Sequence, residues 1–344
     1  MSPPPAVCYR LARYRSHRRA GRQARAALAA AGMRLVERPQ EADVVVLHDE
    51  PWTYPGHWRA FPELAHRPVV GYAVWEPDRV PAAMARWLAM PDEIWTASRF
   101  CRDILAVAGT PVRVVPHVVD PPPAGTATVA ALAARLGLSP PRFVFYLIGR
   151  LEERKNVAAA VAAFAAAFPA GGPALVVKTP TPLPAELAAV PGVVAWPGAA
   201  GDDEIAALHG LGHCCVSAHR AEGWGLCLSD AMAAGNLVVA TGYGGNTDFM
   251  TAENALPVAW RHVAIDDPQT RERFGFAPAD TPGWAAVEHD ALVAALRRAH
   301  DEWPALAPLR AAARQVATRF SPAAVGTAMA GHVARLAARA RRAA

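Results

Sequence analysis

Lysine is nearly absent from this sequence: of 35 basic residues, only Lys155 and Lys178 are lysines. Where arginine is used so freely, a lysine suggests a position that needs a compact ammonium group rather than a planar guanidinium. Acids are scarce at both ends: residues 1–38 hold nine arginines and one acid, and residues 309–344 hold seven arginines and no acid. Such ends indicate either an anionic partner or solvated helix faces with a compositional bias. No RNA-binding signature or interleaved aromatic stripe accompanies them, so no nucleic-acid partner is expected.

Membrane spans, secretion signals and metal-ligating cysteine patterns are also missing. The longest uncharged run, residues 157–177, is rich in alanine and broken by two prolines and two glycines, which favours a helix followed by a strand. Residues 1–7 lack the apolar core of a signal peptide, and the five cysteines have no metal-ligand spacing. We therefore expect a cytoplasmic protein with free, buried thiols. Peripheral contact of the basic ends with the anionic inner face of a membrane is a further hypothesis.

The length of 344 residues suits two α/β domains of about 150 residues each. Short apolar runs alternate with helical segments on both sides of a proline-rich linker at residues 121–125, and continuous apolar runs are typical of parallel strands covered on both faces. The predicted fold class is α/β, with two Rossmann-like domains whose parallel sheets face a central cleft. Strands are predicted at 6–9, 42–47, 68–73, 93–96, 112–115, 143–148, 174–177, 192–196, 214–217 and 237–241.

The predicted domains cover residues 1–122 and 123–320, and a closing helix at 321–344 is expected to cross back to the first domain. An arginine-rich helix is predicted at about 20–31, after a loop that contains Arg13 and Arg15. Loops that follow parallel strands lie at the ligand-binding edge of the sheet, so both arginines are candidates to line the cleft; a solvated helix start is the alternative. The acids at 202–204 are interpreted as the start of a helix rather than as a metal site.

Residues 217–241 carry the strongest pattern, a strand, a glycine-rich loop, a helix and a second strand. Gly223 and Gly225 allow the backbone to approach a ligand and to aim amide groups at it. Glu222 precedes the helix and suits hydrogen bonds from sugar hydroxyls, whereas Asp230 lies a turn inside it and suits a ribose. Taken alone, this pattern is equally compatible with a phosphate-binding loop and with a purely structural turn.

The same residues resemble the E-x7-E region of glycosyltransferase family 4, usually EGFGLxxxEAMAxGxPVVA. The match includes Trp224 and Leu226, and Asp230 stands where the family has a second glutamate. Other segments resemble the family in the expected order, among them 145–156 (FYLIGRLEERKN) and 241–249 (TGYGGNTDF). Weaker likenesses lie at 116–120 and, for a bacterial subgroup with a Trp-Glu pair, at 70–81 and 283–288.

This resemblance implies the GT-B fold and a retaining glycosyltransferase that takes a UDP- or GDP-linked sugar to an unidentified acceptor hydroxyl. It implies no cofactor and no metal. Arg150 and Lys155 are expected to hold the donor diphosphate, where two cations stabilise the charge that builds on the leaving group. The catalytic candidates are Glu222, Arg150, Lys155 and Glu76. The candidates for donor binding are Gly149, Lys178, His219, Gly223, Trp224, Gly225, Leu226, Asp230, Gly244, Gly245, Trp196 and Pro197.

Several candidates also have a purely structural alternative. Glu76 is placed to position the acceptor or the donor sugar, or else pairs with Arg79. Arg13 and Arg15 belong with His48 to the expected acceptor side of the cleft. His48 follows its strand and either lines the cleft there or is a satisfied rim histidine. Lys178 suits either the diphosphate or a surface ion pair, and His219 either the sugar or a structural role. Base recognition is expected from backbone groups near residues 196–198.

Two other functions remain open at this point. A nucleotide-sugar hydrolase or epimerase on the same fold would turn over donor without acceptor. A non-catalytic nucleotide-sugar-binding protein is favoured mildly by the Asp230 substitution and disfavoured by the presence of Arg150, Lys155 and Glu222.

Overall fold

The computed structural model describes residues 3–12, 14–138 and 142–343. Two compact units emerge. Unit 1 consists of Met1–Val118, Ile265–Pro282 and Thr318–Ala344, and unit 2 of Val119–Ala264 and Gly283–Ala317. The sequence-based boundary near residue 122 differs from this division mainly in segment 265–282, which belongs to unit 1.

The chain up to residue 118 builds most of unit 1. Its strands and helices are β1 (Ala6–Leu11), α1 (Arg15–Ala30), β2 (Arg34–Val36), β3 (Val44–His48), α2 (Tyr54–Ala60), β4 (Val69–Tyr72), α3 (Ala85–Leu88), β5 (Glu93–Thr96), α4 (Arg99–Leu105) and β6 (Val112–Val114). The strands form one parallel sheet in the order β2-β1-β3-β4-β5-β6. Every residue of β3 is buried, as expected for a parallel strand covered on both faces. The five predicted strands of this half are confirmed within two residues at each end; β2 was not predicted because its three residues are too short for a periodic pattern.

Helix α1 begins at Arg15, five residues earlier than predicted, so the placing of Arg15 in a loop is wrong. Arginine is a good helix former, and its charged end stays in solvent while the alanines of the helix turn inward. Ala20, Ala24 and Leu28 are all buried, spaced four residues apart on one face. Arg13 lies outside the described residues, as does the side chain of Arg15.

The central part of the chain builds unit 2. Its elements are α5 (Thr126–Arg135), β7 (Val144–Ile148), α6 (Val157–Ala167), β8 (Ala174–Lys178), α7 (Ala185–Ala188), β9 (Val193–Trp196), α8 (Asp202–Leu211), β10 (Cys214–Ser217), α9 (Leu226–Ala234), β11 (Leu237–Thr241) and β12 (Leu256–Val258). The second parallel sheet has the order β12-β11-β10-β7-β8-β9. If β7 is counted as the first strand of unit 2, the order is that of the Rossmann fold. The direction in which successive strands are added to the sheet reverses between β7 and β10. The five strands predicted here are confirmed.

The remaining elements alternate between the units. They are β13 (Trp260–Ala264), α10 (Pro268–Phe274), β14 (Gly283–Val287), α11 (His289–Asp301), α12 (Ala307–Ala313), α13 (Gln315–Arg319) and α14 (Pro322–Ala343). Strands β13 and β14 pair antiparallel within unit 2, although eighteen residues of unit 1 separate them in the chain. Helix α14 packs against α1 in unit 1. There Gly326 meets the α1 backbone, since a Cβ at Gly326 would lie 2.4 Å from the carbonyl oxygen of Ala27.

Three smaller expectations can be compared directly. Asp202, Asp203 and Glu204 form the first turn of α8, and Glu204 accepts a hydrogen bond from the Gly201 amide at 3.0 Å, so the helix-start interpretation is confirmed. All five cysteines are free, and four are buried while Cys227 is partly exposed. Within the described ranges, no helix has the length and apolar character to cross a membrane.

Candidate functional site

The carboxyl ends of β7 and β10 define the site in unit 2. Ligands of open parallel sheets bind where the strand order reverses, which here is between these two strands. The segment after β7 carries Arg150, Arg154 and Lys155, and the segment after β10 carries His219 and Glu222. The topology therefore brings together two segments that are 67 residues apart in the chain.

A strained backbone positions Lys155. Residues Glu153–Lys155 form a turn of 3-10 helix, and Asn156 then adopts a left-handed conformation with φ 48° and ψ 46°. Asn156 is the one residue other than glycine with positive φ in the described part of the chain. Asparagine tolerates this conformation better than most residues, and such strain is often found at functional sites. Helix α6 starts immediately afterwards, so the turn fixes the side chain of Lys155 between strand and helix.

Glu222 is the centre of a buried charge cluster. Its carboxylate accepts a short hydrogen bond from the ammonium of Lys155 and lies 3.6 Å from the guanidinium of Arg154. Burial alone would raise the pKa of this carboxyl, but the positive charges of Lys155 and Arg154 outweigh burial and lower the pKa to about 2. Glu222 is only 8% exposed, and its charge is therefore fixed by its two partners. It is an acceptor-only group at neutral pH.

Arg154 is a member of the cluster that sequence reasoning missed. It is 8% exposed, and it also donates to the carbonyl of Ala221 at 3.1 Å, which holds the Glu222 segment in place. Arg150, which the sequence singled out, has a half-exposed side chain 3.5 Å from Glu152. Glu152 in turn lies 3.7 Å from Arg154 and so links the two arginines. The signal for Arg154 was its place in the run EERK, but only the three-dimensional fold distinguishes the buried basic residue from the exposed one.

The glycine turn after β11 packs directly on the backbone of Glu222. Gly245 donates its amide hydrogen to the Glu222 carbonyl at 2.6 Å. Gly244 has φ 99° and ψ −165°, a conformation confined to glycine, and a Cβ there would lie 2.6 Å from the Glu222 carbonyl oxygen. Two of the glycines predicted to bind the donor therefore also have a structural role, which is to bring the turn against the acid.

His219 connects the same two segments. It is fully buried; Nδ1 lies 3.0 Å from the Ser217 hydroxyl, and Nε2 lies 3.0 Å from the Tyr243 carbonyl and 3.2 Å from the Asn246 side-chain oxygen. Two acceptors facing Nε2 favour the tautomer with its proton on that nitrogen, with the serine hydroxyl donating to Nδ1. Burial lowers the pKa of His219, although the nearby Glu222 carboxylate opposes this effect. The histidine is neutral, and it ties β10 to the glycine turn.

Helix α9 starts at Leu226, as predicted, after Gly225 in a left-handed conformation. Trp224 is buried, packs on Phe249 with ring centroids 4.8 Å apart, and donates from its indole to the Ser229 hydroxyl at 3.2 Å. Its side chain thus has a packing role. Asp230 is 2% exposed in the second turn of α9.

Lys178 ends β8 with its ammonium group turned to the protein backbone. It donates to the carbonyls of Gly198 and Thr179 and lies 5.0 Å from the centre of the Trp196 ring. Gly149 contacts the same strand end, since its amide donates to the Lys178 carbonyl at 3.1 Å. Lys178 therefore holds the segment 196–198 in place. This segment includes Pro197 and was predicted to bind the base of the donor nucleotide.

In unit 1, His48 is fully buried at the end of β3. The Tyr9 hydroxyl is hydrogen-bonded to its Nδ1 at 2.7 Å, and the Tyr72 ring stacks on it with centroids 4.1 Å apart. Burial and the nearby histidines lower the pKa of His48 well below its usual range, so it is neutral. Glu76 follows β4 and is partly buried, while its expected alternative partner Arg79 pairs with Asp78 at 3.2 Å.

Burial and neighbouring acids perturb Glu50 in unit 1. Burial raises its pKa from 4.5 to about 7, with further contributions from Asp49 and Glu76, against a smaller opposing effect of Arg273. Because the folded protein binds this proton more tightly than the unfolded chain, Glu50 makes the folded state less stable as pH rises from about 4.5 to about 7.

We expect Glu50→Gln to raise the melting temperature at pH 8 and to leave it nearly unchanged at pH 4.5. The gain at pH 8 should be about 1–2 kcal/mol, after allowance for solvent screening of a partly exposed group. Thermal unfolding at both pH values measures it, with Glu186→Gln at an exposed position as the control. An equal effect of Glu50→Gln at both pH values would contradict the assignment.

Comparison with known proteins places this geometry in context. Residues 142–269 match the family model "Glycosyl transferases group 1". A search of curated protein sequences gave no match. Solved structures match at low identity. Anabaena Alr3699/HepE in complex with UDP and glucose is 15% identical, with a TM-score of 0.63 over 91% of this chain and 81% of its own.

Two further structures cover almost the whole of both chains. A glycosyltransferase from Rickettsia africae ESF-5 is 11% identical, with a TM-score of 0.68 over 97% of this chain and 99% of its own. WaaG, a glycosyltransferase involved in lipopolysaccharide biosynthesis, is 12% identical, with a TM-score of 0.62 over 95% of this chain and 99% of its own. The chain has the GT-B fold and carries a group 1 glycosyl transferase domain at residues 142–269, and it is thus a glycosyltransferase.

Proposed function

We propose that this enzyme transfers a sugar from a UDP- or GDP-linked donor to an acceptor hydroxyl, with retention of anomeric configuration and without a metal ion. The observation that carries the proposal is the buried cluster of Lys155, Glu222 and Arg154 at the switch point of the unit 2 sheet. A compact ammonium group at this place suits a phosphate as a point charge.

The chemistry follows from the charges of the cluster. Departure of the nucleoside diphosphate breaks the bond from the sugar's anomeric carbon to phosphate and leaves negative charge on the phosphate oxygen. Lys155 and the amino-terminal end of α9, which starts at Leu226, stabilise that charge. Glu222, held ionised, accepts hydrogen bonds from sugar hydroxyls. The acceptor oxygen bonds to the anomeric carbon on the face that the phosphate leaves, and the acceptor proton passes to the departing phosphate oxygen.

Structures similar in fold support the donor class in this proposal. Anabaena Alr3699/HepE was solved with UDP-glucose, and an E. coli trehalose-6-phosphate protein was solved with UDP-2-fluoro glucose. Both contain a uridine diphosphate group, which carries the same diphosphate that we assign to Lys155.

A thermal-shift screen of nucleotide sugars tests the donor. At about 100 times its dissociation constant, a true donor is expected to stabilise the protein by about 2.7 kcal/mol. With that donor and an acceptor mixture, product should form equally well in EDTA, and donor alone should be consumed slowly. Rapid consumption without acceptor would point to a hydrolase or epimerase, and inhibition by EDTA would refute metal independence. If no nucleotide sugar shifts the transition, the proposal fails.

We also propose that the basic face of unit 1 contacts anionic membrane surfaces. Helices α1 and α14 pack together, which joins the two arginine-rich ends of the chain, and Arg18, Arg22, Arg339, Arg341 and Arg342 are exposed. Co-sedimentation with vesicles should increase with the fraction of anionic lipid and fall with salt. Binding to neutral vesicles of the same strength would refute the electrostatic contact.

A further inference from the structure

The strained turn that carries Lys155 is joined residue by residue to the loop after β10. The Arg220 amide donates to the Arg154 carbonyl at 2.8 Å. The Arg154 guanidinium donates in return to the Ala221 carbonyl at 3.1 Å. Lys155 then donates to Glu222. A left-handed residue follows Lys155, and such strain persists only where the surrounding structure holds it. The loop at 220–222 is therefore what holds the turn.

The side chain of Arg220 adds a fourth connection, to Glu153 at the start of the same turn. Its Nε lies 3.7 Å from Oε1 of Glu153, and the two side chains are 24% and 37% exposed. This Nε is buried and forms no hydrogen bond within the described part of the chain, so the carboxylate charge compensates for its burial. An ion pair with such exposure adds little to the stability of the whole fold. Its effect is therefore local, on the turn.

Strand β14 fixes Arg220 in turn. The Arg220 carbonyl accepts a hydrogen bond from the Ala285 amide at 2.9 Å, and the guanidinium carbon lies 5.7 Å from the centre of the Trp284 ring. Trp284 is fully buried, and an indole face attracts a cation within about 6 Å of its centre. The segment 283–288, which the sequence singled out without a role, thus supports the loop after β10.

We propose that Arg220 is a positioning residue for the transfer reaction, which holds the turn 153–155 so that the Lys155 ammonium stays directed at the donor diphosphate. Arg220 acts through Glu153, with Trp284 as its support, and does not touch the donor. This role rests on the proposed function, in which Lys155 binds the diphosphate. A direct attraction between Arg220 and the diphosphate is the competing explanation, and it predicts a different coupling to Lys155.

Two variants of Arg220 separate its charge from its packing. Arg220→Met keeps an unbranched chain over the indole but loses the charge, whereas Arg220→Lys keeps the charge. Each is made in the wild type and in the double variant Lys155→Met, Glu222→Gln, which lacks the ammonium group and its carboxylate partner. All measurements use the full-length protein.

Arg310→Met is the matched control. Arg310 also belongs to unit 2, lies 3.6 Å from the centre of a tryptophan ring, that of Trp303, and has a buried Nε without a hydrogen bond in the described residues. Trp303 packs beside His213, with ring centroids 5.4 Å apart, and His213 precedes β10. The control therefore lies at the opposite end of β10 from the loop that carries Arg220.

In the free protein, Arg220→Met is expected to accelerate amide hydrogen exchange at Lys155 and Asn156. Both amides are bonded to the Glu152 carbonyl, at 2.9 and 3.3 Å, and these bonds open more often once the turn is held less firmly. Arg220→Lys and Arg310→Met should keep the wild-type rates. Wild-type exchange in Arg220→Met would overturn the proposal independently of any donor.

UDP, with GDP in parallel, is then titrated by ³¹P NMR. Arg220→Met should weaken the nucleotide about tenfold, a typical coupling between residues of one network, and Arg220→Lys should recover most of that affinity. In the double variant, which has no Lys155 ammonium, neither substitution should have a further effect. Equal losses in both backgrounds would mean that Arg220 attracts the diphosphate directly, and equal losses with methionine and lysine would exclude its charge as the cause. Either result overturns the proposal.

Failure of the proposed function gives a different pattern. If UDP and GDP bind the double variant Lys155→Met, Glu222→Gln as tightly as the wild type, Lys155 does not bind the diphosphate, and both assignments are refuted. If the double variant loses affinity while Arg220→Met binds like the wild type, the role of Arg220 alone is refuted.

Discussion

Replacing Lys155 by alanine is expected to weaken UDP or GDP binding by about 10- to 150-fold, the equivalent of one charge-assisted contact of about 1.5–3 kcal/mol. The reason is that Lys155 supplies the compact positive charge at the switch point of the unit 2 sheet. Isothermal titration calorimetry with the free nucleotide measures the loss without any need for the acceptor. Unchanged affinity would remove the central element of the proposed function.

The same substitution should also lower stability, because it leaves the buried Glu222 carboxylate with Arg154 alone. Breaking a buried ion pair on one side commonly costs about 3–5 kcal/mol. The double variant Lys155→Met, Glu222→Gln removes both charges and should recover much of that stability but not the nucleotide affinity. Recovery of both properties together would mean that Lys155 acts on folding only.

Arg150→Ala provides a useful comparison. The Arg150 side chain is half exposed and has Glu152 at 3.5 Å, so its removal should change stability by less than about 1 kcal/mol. A loss of nucleotide affinity with little loss of stability would support the predicted contact of Arg150 with the diphosphate. Wild-type affinity in Arg150→Ala would transfer that role to Lys155.

Gly244→Ala is expected to abolish donor binding and to destabilise unit 2 by about 3 kcal/mol or more. A Cβ at this position would lie 2.6 Å from the Glu222 carbonyl oxygen, so the turn must withdraw from the acid. The backbone at φ 99° and ψ −165° adds strain that no other residue accepts readily. Urea unfolding and UDP titration measure the two effects.

Gly171→Ala is the matched control for this variant. Gly171 also lies in unit 2 with positive φ, at 80°, but no atom approaches its Cβ position within 4 Å. Its replacement should cost about 1–2 kcal/mol of conformational energy and leave nucleotide affinity unchanged. If the two variants behave alike, the contact of Gly244 with Glu222 has no special importance.

Much of the fold was predictable because parallel strands leave continuous apolar runs. Runs such as those of β3 and β11 identify strands with little ambiguity, and glycine after β10 predicted the start of α9 at its correct residue. Strands β2 and β12 and the β13–β14 pair were missed, since three residues carry no periodicity and the residues of β13 are largely exposed. The assignment of 265–282 to unit 1 depends on contacts far along the chain, which local pattern does not encode.

The site was predictable in its segments but not in its pairings. Spacing within the chain placed Lys155 and Glu222 in two loops, yet their direct contact depends on β7 lying beside β10. Burial separates Arg154 from Arg150, and no property of the run RLEERK at residues 150–155 reveals which arginine turns inward.

The division of unit 1 into three separate segments has a consequence for biosynthesis. Unit 2 obtains its last strand and helices by residue 317, whereas unit 1 needs residues 318–343 to cover α1. During translation the first unit to begin is therefore the last to close, and its early sheet waits about 10–45 s for that helix at typical synthesis rates of ~5–20 residues per second. Through this interval α1 keeps its alanine face exposed. Deletions from the carboxyl end should consequently reduce soluble yield strongly, and affinity tags are better placed where they do not compete with α14 for that face.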